Sequence, residues 1–151
     1  MIKRFLYWFR VDKLGPEVPL TYWMLFFPSL MRFICRKKFG NFGKDSELRP
    51  GSHIDICSKI YIGEKVTIRP GSFIYADPRE NAGKIIIEDK VLLGPQIQIY
   101  TNDHKFNLED IPIYDQGYDL PNKNDSVVIK SGAWIGAGSI ILKGVIIGKN
   151  S

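Results

Sequence analysis

Aliphatic residues recur at intervals of six along this 151-residue chain. Three runs share the spacing, from Ile56 to Ile74, from Ile87 to Ile99 and from Ile129 to Ile147, and each repeated position is Ile or Leu. Alternate side chains of a strand point to opposite faces, so one inward residue every six positions fits a short strand followed by a tight turn. Three such hexads can close one triangular coil, and stacked coils bury a narrow aliphatic core.

Glycine and small residues repeat in phase with these aliphatic anchors. Glycine, which supplies the backbone freedom that corners need, stands three places after several anchors, at Gly71, Gly132, Gly138 and Gly144. The predicted fold class is therefore all-β, a parallel β-helix of hexapeptide repeats with a short N-terminal helical segment. An α/β or sandwich fold with accidental spacing is disfavoured, because the apolar runs are too short for core helices and too regular for a sandwich.

Composition divides the chain into two parts. Residues 1–40 hold eight basic and two acidic residues and ten of the nineteen aromatic residues, whereas the remainder is close to neutral. We therefore expect an N-terminal helical, aromatic and basic segment over 1–43 and the β-helix over 44–151. A loop at 105–126 interrupts the β-helix, and the chain stops in mid-hexad at Ser151, as a truncated form would.

The aromatic N-terminal segment has two interpretations. It caps the end of the solenoid, or residues 1–40 contact an anionic membrane surface as a peripheral anchor. Its longest uncharged run, Val18 to Met31, is shorter than the roughly 20 residues that span a bilayer. With two cysteines and no cleavable leader pattern, we expect a cytoplasmic protein, with the inner face of the membrane as the alternative. Nucleic-acid binding is not expected, because no recognised motif accompanies the basic residues.

Three segments carry a resemblance to a known family. They are Gly132-Ala133-Trp134-Ile135-Gly136-Ala137-Gly138-Ser139, Lys143-Gly144-Val145-Ile146-Ile147-Gly148, and Leu93-Gly94-Pro95 with Tyr100-Thr101-Asn102-Asp103-His104. Together they resemble the hexapeptide-repeat acyltransferases, and more narrowly the sugar O-acetyltransferases of bacterial surface polysaccharides such as lipopolysaccharide O-antigen. The resemblance implies a left-handed coil, an exception to the usual right-handed crossover. It also implies a homotrimer that binds acetyl-CoA in grooves between neighbouring solenoids and uses no metal.

The same resemblance suggests roles for individual residues. His104 matches the general base, which takes the proton of a sugar hydroxyl as that oxygen attacks the thioester. Trp134 matches a tryptophan near the acceptor and the pantetheine arm, and Gly136 and Ala137 match positions lining the CoA groove. Acceptor-binding candidates in addition to Trp134 are Asp77, Asn102 and Asp103, the last two also being common turn formers.

The sequence leaves more than one function open. The leading hypothesis is an acetyl-CoA-dependent O-acetyltransferase acting on a sugar or polysaccharide precursor. The alternative is a catalytically weakened or inactive assembly module, because the last coil of the family is missing. A zinc enzyme on the same scaffold would need three histidines, and the chain has two, His53 and His104. The loop at 105–126 is predicted to lean over the neighbouring subunit and shape the acceptor pocket, or else to be an unstructured insertion.

Overall fold

A computed structural model describes residues 27–151, and the part of the predicted membrane anchor within residues 1–26 lies outside it. The described chain begins with helix α1, Pro28–Lys38, and continues as short strands with a four-residue helix α2, Ile113–Gln116. The strands are β1 Asn41–Phe42, β2 Glu47–Leu48, β3 His53–Asp55, β4 Ile60–Ile62, β5 Thr67–Ile68, β6 Phe73–Tyr75, β7 Ile85–Ile87, β8 Leu92–Leu93, β9 Gln98–Tyr100, β10 Val127–Ile129, β11 Trp134–Ile135, β12 Ile140–Ile141 and β13 Ile146–Ile147.

These strands form three parallel sheets, one for each side of a triangular coil. Face 1 has the order β1-β4-β7-β10-β13, face 2 the order β2-β5-β8-β11, and face 3 the order β3-β6-β9-β12. Every third strand therefore returns to the same sheet one coil higher. The predicted parallel β-helix is confirmed, and the anchors lie in register, as Ile62 with Ile87 and Ile87 with Ile129 on face 1.

The anchors lie in the hydrophobic core, together with other buried residues of the strands and corners. Ile62, Ile87 and Ile129 have no solvent exposure, and neither do Ile68 and Ile74. One position of the expected frame is wrong, because Ile54 rather than Ile56 pairs with Ile74. Ile54 and Ile62 are eight residues apart, since the 3-10 turn Cys57–Lys59 lengthens that corner.

Ile56 precedes this turn in the left-handed region with φ 51°. Its six-residue distance from Ile62 is a coincidence. The repeat begins one coil earlier, with Phe42, Leu48 and Ile54.

The corners share one backbone conformation. Three residues after each anchor of faces 1 and 2, and after Ile141 of face 3, φ is positive, whether the residue is glycine or not. The residues in this conformation are Asp45, Gly51, Lys65, Gly71, Lys90, Gln96, Gly132, Gly138, Gly144 and Asn150. The left-handed region costs an ordinary residue about 1–2 kcal/mol, so glycine is favoured but not obligatory there. This tolerance explains why the glycine repeat is incomplete in the sequence.

Helix α1 covers the first coil. Proline occupies its first turn, and Arg36, Lys37 and Lys38 lie in its last turn, where cations interact favourably with the helix dipole. Met31 and Cys35, one turn apart, are buried against the core. Burial raises the pKa of the Cys35 thiol to about 11. Within residues 27–151, no helix has the length and apolar character needed to cross a membrane.

Candidate active site

Both interruptions of the repeat occur at the same edge of the β-helix. We define the third edge as the corner where the chain passes from face 3 to face 1. Residues 77–84 make this passage between β6 and β7, and residues 101–126 make it one coil higher, between β9 and β10. Because consecutive coils stack, the two insertions come together at one edge.

His104 lies on this edge, at the start of the larger insertion, and is exposed. Its imidazole stacks on the ring of Tyr118 with centroids 4.2 Å apart and an angle of 27° between the planes. The two residues also form an antiparallel bridge. Lys105 N donates to Gly117 O at 2.9 Å. The loop therefore folds back on its own beginning as a short ribbon.

Asn102 and Asp103 form the approach to His104, and both are half-buried. The carboxylate of Asp103 accepts from His104 N at 2.8 Å, and its carbonyl accepts from Asp119 N at 3.2 Å. Asp103 thus shapes the turn that presents the histidine. Farther along the loop, Gln116 Nε2 donates to two carbonyls, those of Leu108 and Ile111. These bonds give the loop at 105–126 a defined conformation.

Asp77 occupies the start of the smaller insertion and is only 1% exposed. Its carboxylate accepts from Arg79 through Nε, Nη2 and the backbone N, and its own N donates to Thr101 Oγ1 at 2.9 Å. Hydrogen bonds from the Arg79 side chain hold the pKa of Asp77 below its ordinary value despite burial. Lys59 Nζ adds hydrogen bonds to the carbonyls of Asp77 and Arg79.

Arg79 joins the smaller insertion to the larger one. Its guanidinium lies 5.8 Å from the Tyr118 ring centroid, and Nη1 donates to the carbonyl of Asp119 at 2.6 Å. The carboxylate of Asp119 pairs with Lys143, which lies between β12 and β13 at the same edge. The hydrogen bond between them raises the pKa of Lys143 and lowers that of Asp119. Three successive coils thus contribute to one polar network around Tyr118.

The predicted CoA-groove residues lie elsewhere on the chain. Trp134 pairs with Leu92 on face 2 and is 70% exposed. Gly136 and Ala137 are exposed in the turn between β11 and β12, at the corner between faces 2 and 3. A methyl group added at Gly136 would meet no atom within 4 Å. A single chain therefore places this open surface and His104 at different edges.

No protein-family model matches the chain. Nodulation protein L of Rhizobium leguminosarum bv. viciae is 34% identical over 109 residues, which are 72% of this chain and 52% of the relative. The galactoside O-acetyltransferase of Lactococcus lactis subsp. lactis is 30% identical over 73% of this chain and 59% of the relative. The chain belongs to the hexapeptide-repeat acyltransferase family. It spans between 52% and 59% of the length of these two relatives.

A solved acyltransferase-family structure has the same fold. It is a hexapeptide-repeat acetyltransferase of Vibrio cholerae O1 biovar eltor in complex with acetyl-CoA. The TM-score is 0.62 at 24% identity, covering 93% of this chain and 76% of that chain. The fold is the left-handed parallel β-helix that the resemblance implied.

Sequence reasoning missed four residues of the third edge. They are Arg79, Tyr118, Asp119 and Lys143. The spacing Asp-Pro-Arg at 77–79 was a usable signal, because a short turn brings such a pair within reach. Asp119 carried no comparable signal, since its partners Arg79 and Lys143 are 40 and 24 residues away. The contacts of Tyr118 with His104 and Arg79 depend on how the loop folds back.

His53 begins β3 on face 3 and is not part of this network. It stacks on Phe73 of face 3 with centroids 5.0 Å apart. Within residues 27–151, no group of three or more His, Cys, Asp or Glu side chains is arranged to hold a metal ion.

Proposed function

We propose that the chain is an acetyl-CoA-dependent O-acetyltransferase that acts on a hydroxyl of a sugar or polysaccharide precursor. The observation that carries the proposal is His104, an exposed imidazole presented on an edge built by both insertions of the repeat. The name of the Lactococcus relative, a galactoside O-acetyltransferase, supports a sugar acceptor. The acetyl-CoA in the Vibrio structure supports the donor.

His104 acts as the general base of this transfer. It accepts the proton of the acceptor hydroxyl while that oxygen bonds to the thioester carbonyl carbon. The carbon–sulfur bond then breaks, and the sulfur leaves with a proton, giving the O-acetyl ester and free CoA. Among the described residues, neither imidazole nitrogen has a hydrogen-bond partner, so both are available to acceptor and thiol. Asn102 and Asp103, next to this base, are the nearest candidates for contacts to the acceptor.

Acetyl-CoA is held by the surface of Trp134, Gly136 and Ala137. The residues fit this role, because the indole is 70% exposed and the backbone at Gly136 is unobstructed to 4 Å. Backbone close to such a glycine can approach an extended ligand directly. The indole offers a flat apolar face to the pantetheine arm.

We further propose that a homotrimer completes the site. The groove surface and His104 lie at different edges of one chain, so a neighbouring copy must bring one to the other. The loop at 105–126 exposes apolar side chains that suit contact with this neighbour, among them Phe106 at 70% and Leu120 at 80% exposure. In a closed threefold arrangement, each interface repeats the same pairing of edges.

Substitution of the base tests the catalytic proposal. His104→Ala should lower acetyl transfer to a sugar panel by about a hundred- to ten-thousand-fold, measured by mass spectrometry of the acetylated product. The oligomer measured by light scattering should be unchanged. Unaltered turnover would overturn the role of His104. Absence of any calorimetric heat with millimolar acetyl-CoA would favour the inactive assembly module instead.

Mixed oligomers test the shared site. Chains with His104→Ala retain the groove, and chains with Gly136→Trp retain the base but obstruct the groove. Oligomers containing both should regain activity, because one interface pairs an intact base with an open groove. If the mixed oligomers are as inactive as either parent, the site is not shared between copies.

We also propose that residues 1–40 contact an anionic membrane surface. The outer side of α1 exposes Leu30 and Phe33 beside Arg36 and Lys37, which suits an anionic lipid surface. Sedimentation with vesicles containing phosphatidylserine, but not with neutral vesicles, would support it. Equal recovery of the protein with both kinds of vesicle would contradict this membrane contact.

A further inference from the structure

We propose that Tyr118 is the positioning residue for His104, and that the smaller insertion, residues 77–84, exists at this edge to hold Tyr118 in place through Arg79. This inference rests on the proposed function, since it assigns the two interruptions of the repeat to the orientation of one catalytic base.

The contact between the two rings restrains the orientation of the imidazole without engaging its nitrogen atoms. His104 is exposed and stands in a loop, so its side chain would otherwise sample several rotamers. Stacking at 4.2 Å restricts the plane of the imidazole. Among the described residues, the hydrogen bond made by His104 is that of its backbone N, so the stack leaves both ring nitrogens free for proton transfer.

Tyr118 is itself held on its other side. The Arg79 guanidinium lies 5.8 Å from the ring centroid, within the range of a cation–π contact. The same side chain donates to the carbonyl of Asp119, the next residue along the chain. Side chain and backbone of the 118–119 segment are thus both in contact with Arg79.

Arg79 is anchored in turn to the core of the solenoid. Asp77 and Thr101 are each 1% exposed, and Asp77 N donates to the Thr101 hydroxyl. The buried Asp77 carboxylate holds the guanidinium in a fork, which fixes its direction as a single-point ammonium contact would not. One continuous series of contacts therefore runs from the core of the solenoid through Asp77, Arg79 and Tyr118 to His104.

The ring of Tyr118, rather than its hydroxyl, carries this function. Among residues 27–151, the Tyr118 side chain interacts through its ring, with His104 and Arg79, and its hydroxyl makes no hydrogen bond. Phenylalanine should therefore replace tyrosine, whereas alanine should not. This pair of substitutions separates positioning from proton chemistry by the hydroxyl.

The experiment compares steady-state kinetics of Tyr118→Phe, Tyr118→Ala and Arg79→Ala. A displaced reacting group loses rate by up to about a hundredfold, so Tyr118→Ala should lower kcat by roughly ten- to a hundredfold. KM for acetyl-CoA should stay within about twofold, because Tyr118 contacts His104 and Arg79 and is not part of the surface of Trp134, Gly136 and Ala137 that is proposed to hold acetyl-CoA. Tyr118→Phe should keep kcat within about twofold of the parent, and Arg79→Ala should fall between the two.

A spectroscopic readout makes the test independent of activity. The ring current of Tyr118 shifts the His104 Hε1 resonance, which is identified by its loss in His104→Ala. The shift should persist in Tyr118→Phe and disappear in Tyr118→Ala. If Tyr118→Ala does not fold, Tyr118→Leu keeps the bulk without the ring and carries the same expectations.

Two results would overturn the assignment. Full kcat in Tyr118→Ala would show that the stack does not position the base, and equal loss in Tyr118→Phe would place the function in the hydroxyl. Failure of the proposed function is a separate result, namely unaltered turnover in His104→Ala. In that case the Hε1 shift still decides whether Tyr118 orients the ring.

Discussion

Asp77 and Arg79 form a forked ion pair only two residues apart, with Nε 3.0 Å from Oδ1 and Nη2 2.5 Å from Oδ2. The carboxylate is almost completely buried, whereas the arginine side chain is 36% exposed. Burial alone would raise the pKa of Asp77, but the hydrogen bonds from Arg79 outweigh it and lower the pKa. The ionised carboxylate is therefore part of the folded state, with consequences for stability as well as for the site.

Asp77→Asn should lower the free energy of unfolding by about 2 kcal/mol at pH 7, the usual value of hydrogen bonds to a charged group. Since the folded-state pKa is below the unfolded one, the contribution is present above the unfolded pKa. It is lost as pH falls through the folded-state pKa. Urea unfolding between pH 7 and pH 3 should show the two proteins converging at the acid end. Asp110→Asn, at an exposed loop position, is the control. Parallel pH profiles of Asp77→Asn and the parent would refute the assignment.

The ion pair between Lys143 and Asp119 should restrain the large loop. Lys143→Gln removes it, so trypsin should cleave faster after Lys105 and Lys123, which flank the loop. Because a partly exposed pair is screened by salt, the difference from the parent should shrink at 1 M NaCl. Lys149→Gln, at an exposed position remote from Asp119, provides the control. Identical cleavage of parent and Lys143→Gln at low salt would show that the pair does not restrain the loop.

The fold was predictable because each hexad repeats the same local physics. An inward aliphatic side chain and a corner recur every six residues, so the frame could be found without knowledge of long-range contacts. The error at Ile56 shows the limit of this reasoning. Two extra residues at one corner shifted the phase, and an unrelated isoleucine happened to fall on the expected position.

The site was predictable only in part, because its contacts are not periodic. His104 could be singled out by the motif that carries it, where the repeat yields to the loop. Its stack on Tyr118 depends on how the loop folds back, and Arg79 meets Tyr118 only because two insertions share one edge. Such relationships follow from the three-dimensional stacking of coils, and a linear pattern does not contain them.

Two neighbouring glycines should differ in their effect on stability. Gly138 has φ +73°, so Gly138→Ala should lower the free energy of unfolding by about 1 kcal/mol, although the methyl group meets no atom within 4 Å. Gly136 is equally open but is not in the left-handed region, so Gly136→Ala should leave stability unchanged. Thermal and urea unfolding measure both. Equal losses in the two variants would contradict a conformational origin of the Gly138 effect.

Gly136→Ala should nevertheless weaken acetyl-CoA binding. In a single chain the added methyl group points into open space, and in the proposed trimer that space is the CoA groove. An intruding methyl group of this kind costs roughly 1–2 kcal/mol, which corresponds to about a tenfold rise in Kd. Calorimetric titration with acetyl-CoA gives Kd directly, and the unchanged unfolding free energy shows that the effect is local. Kd unaltered by Gly136→Ala, but raised by Trp134→Ala, would place the ligand on the indole face of the surface and away from the β11–β12 turn.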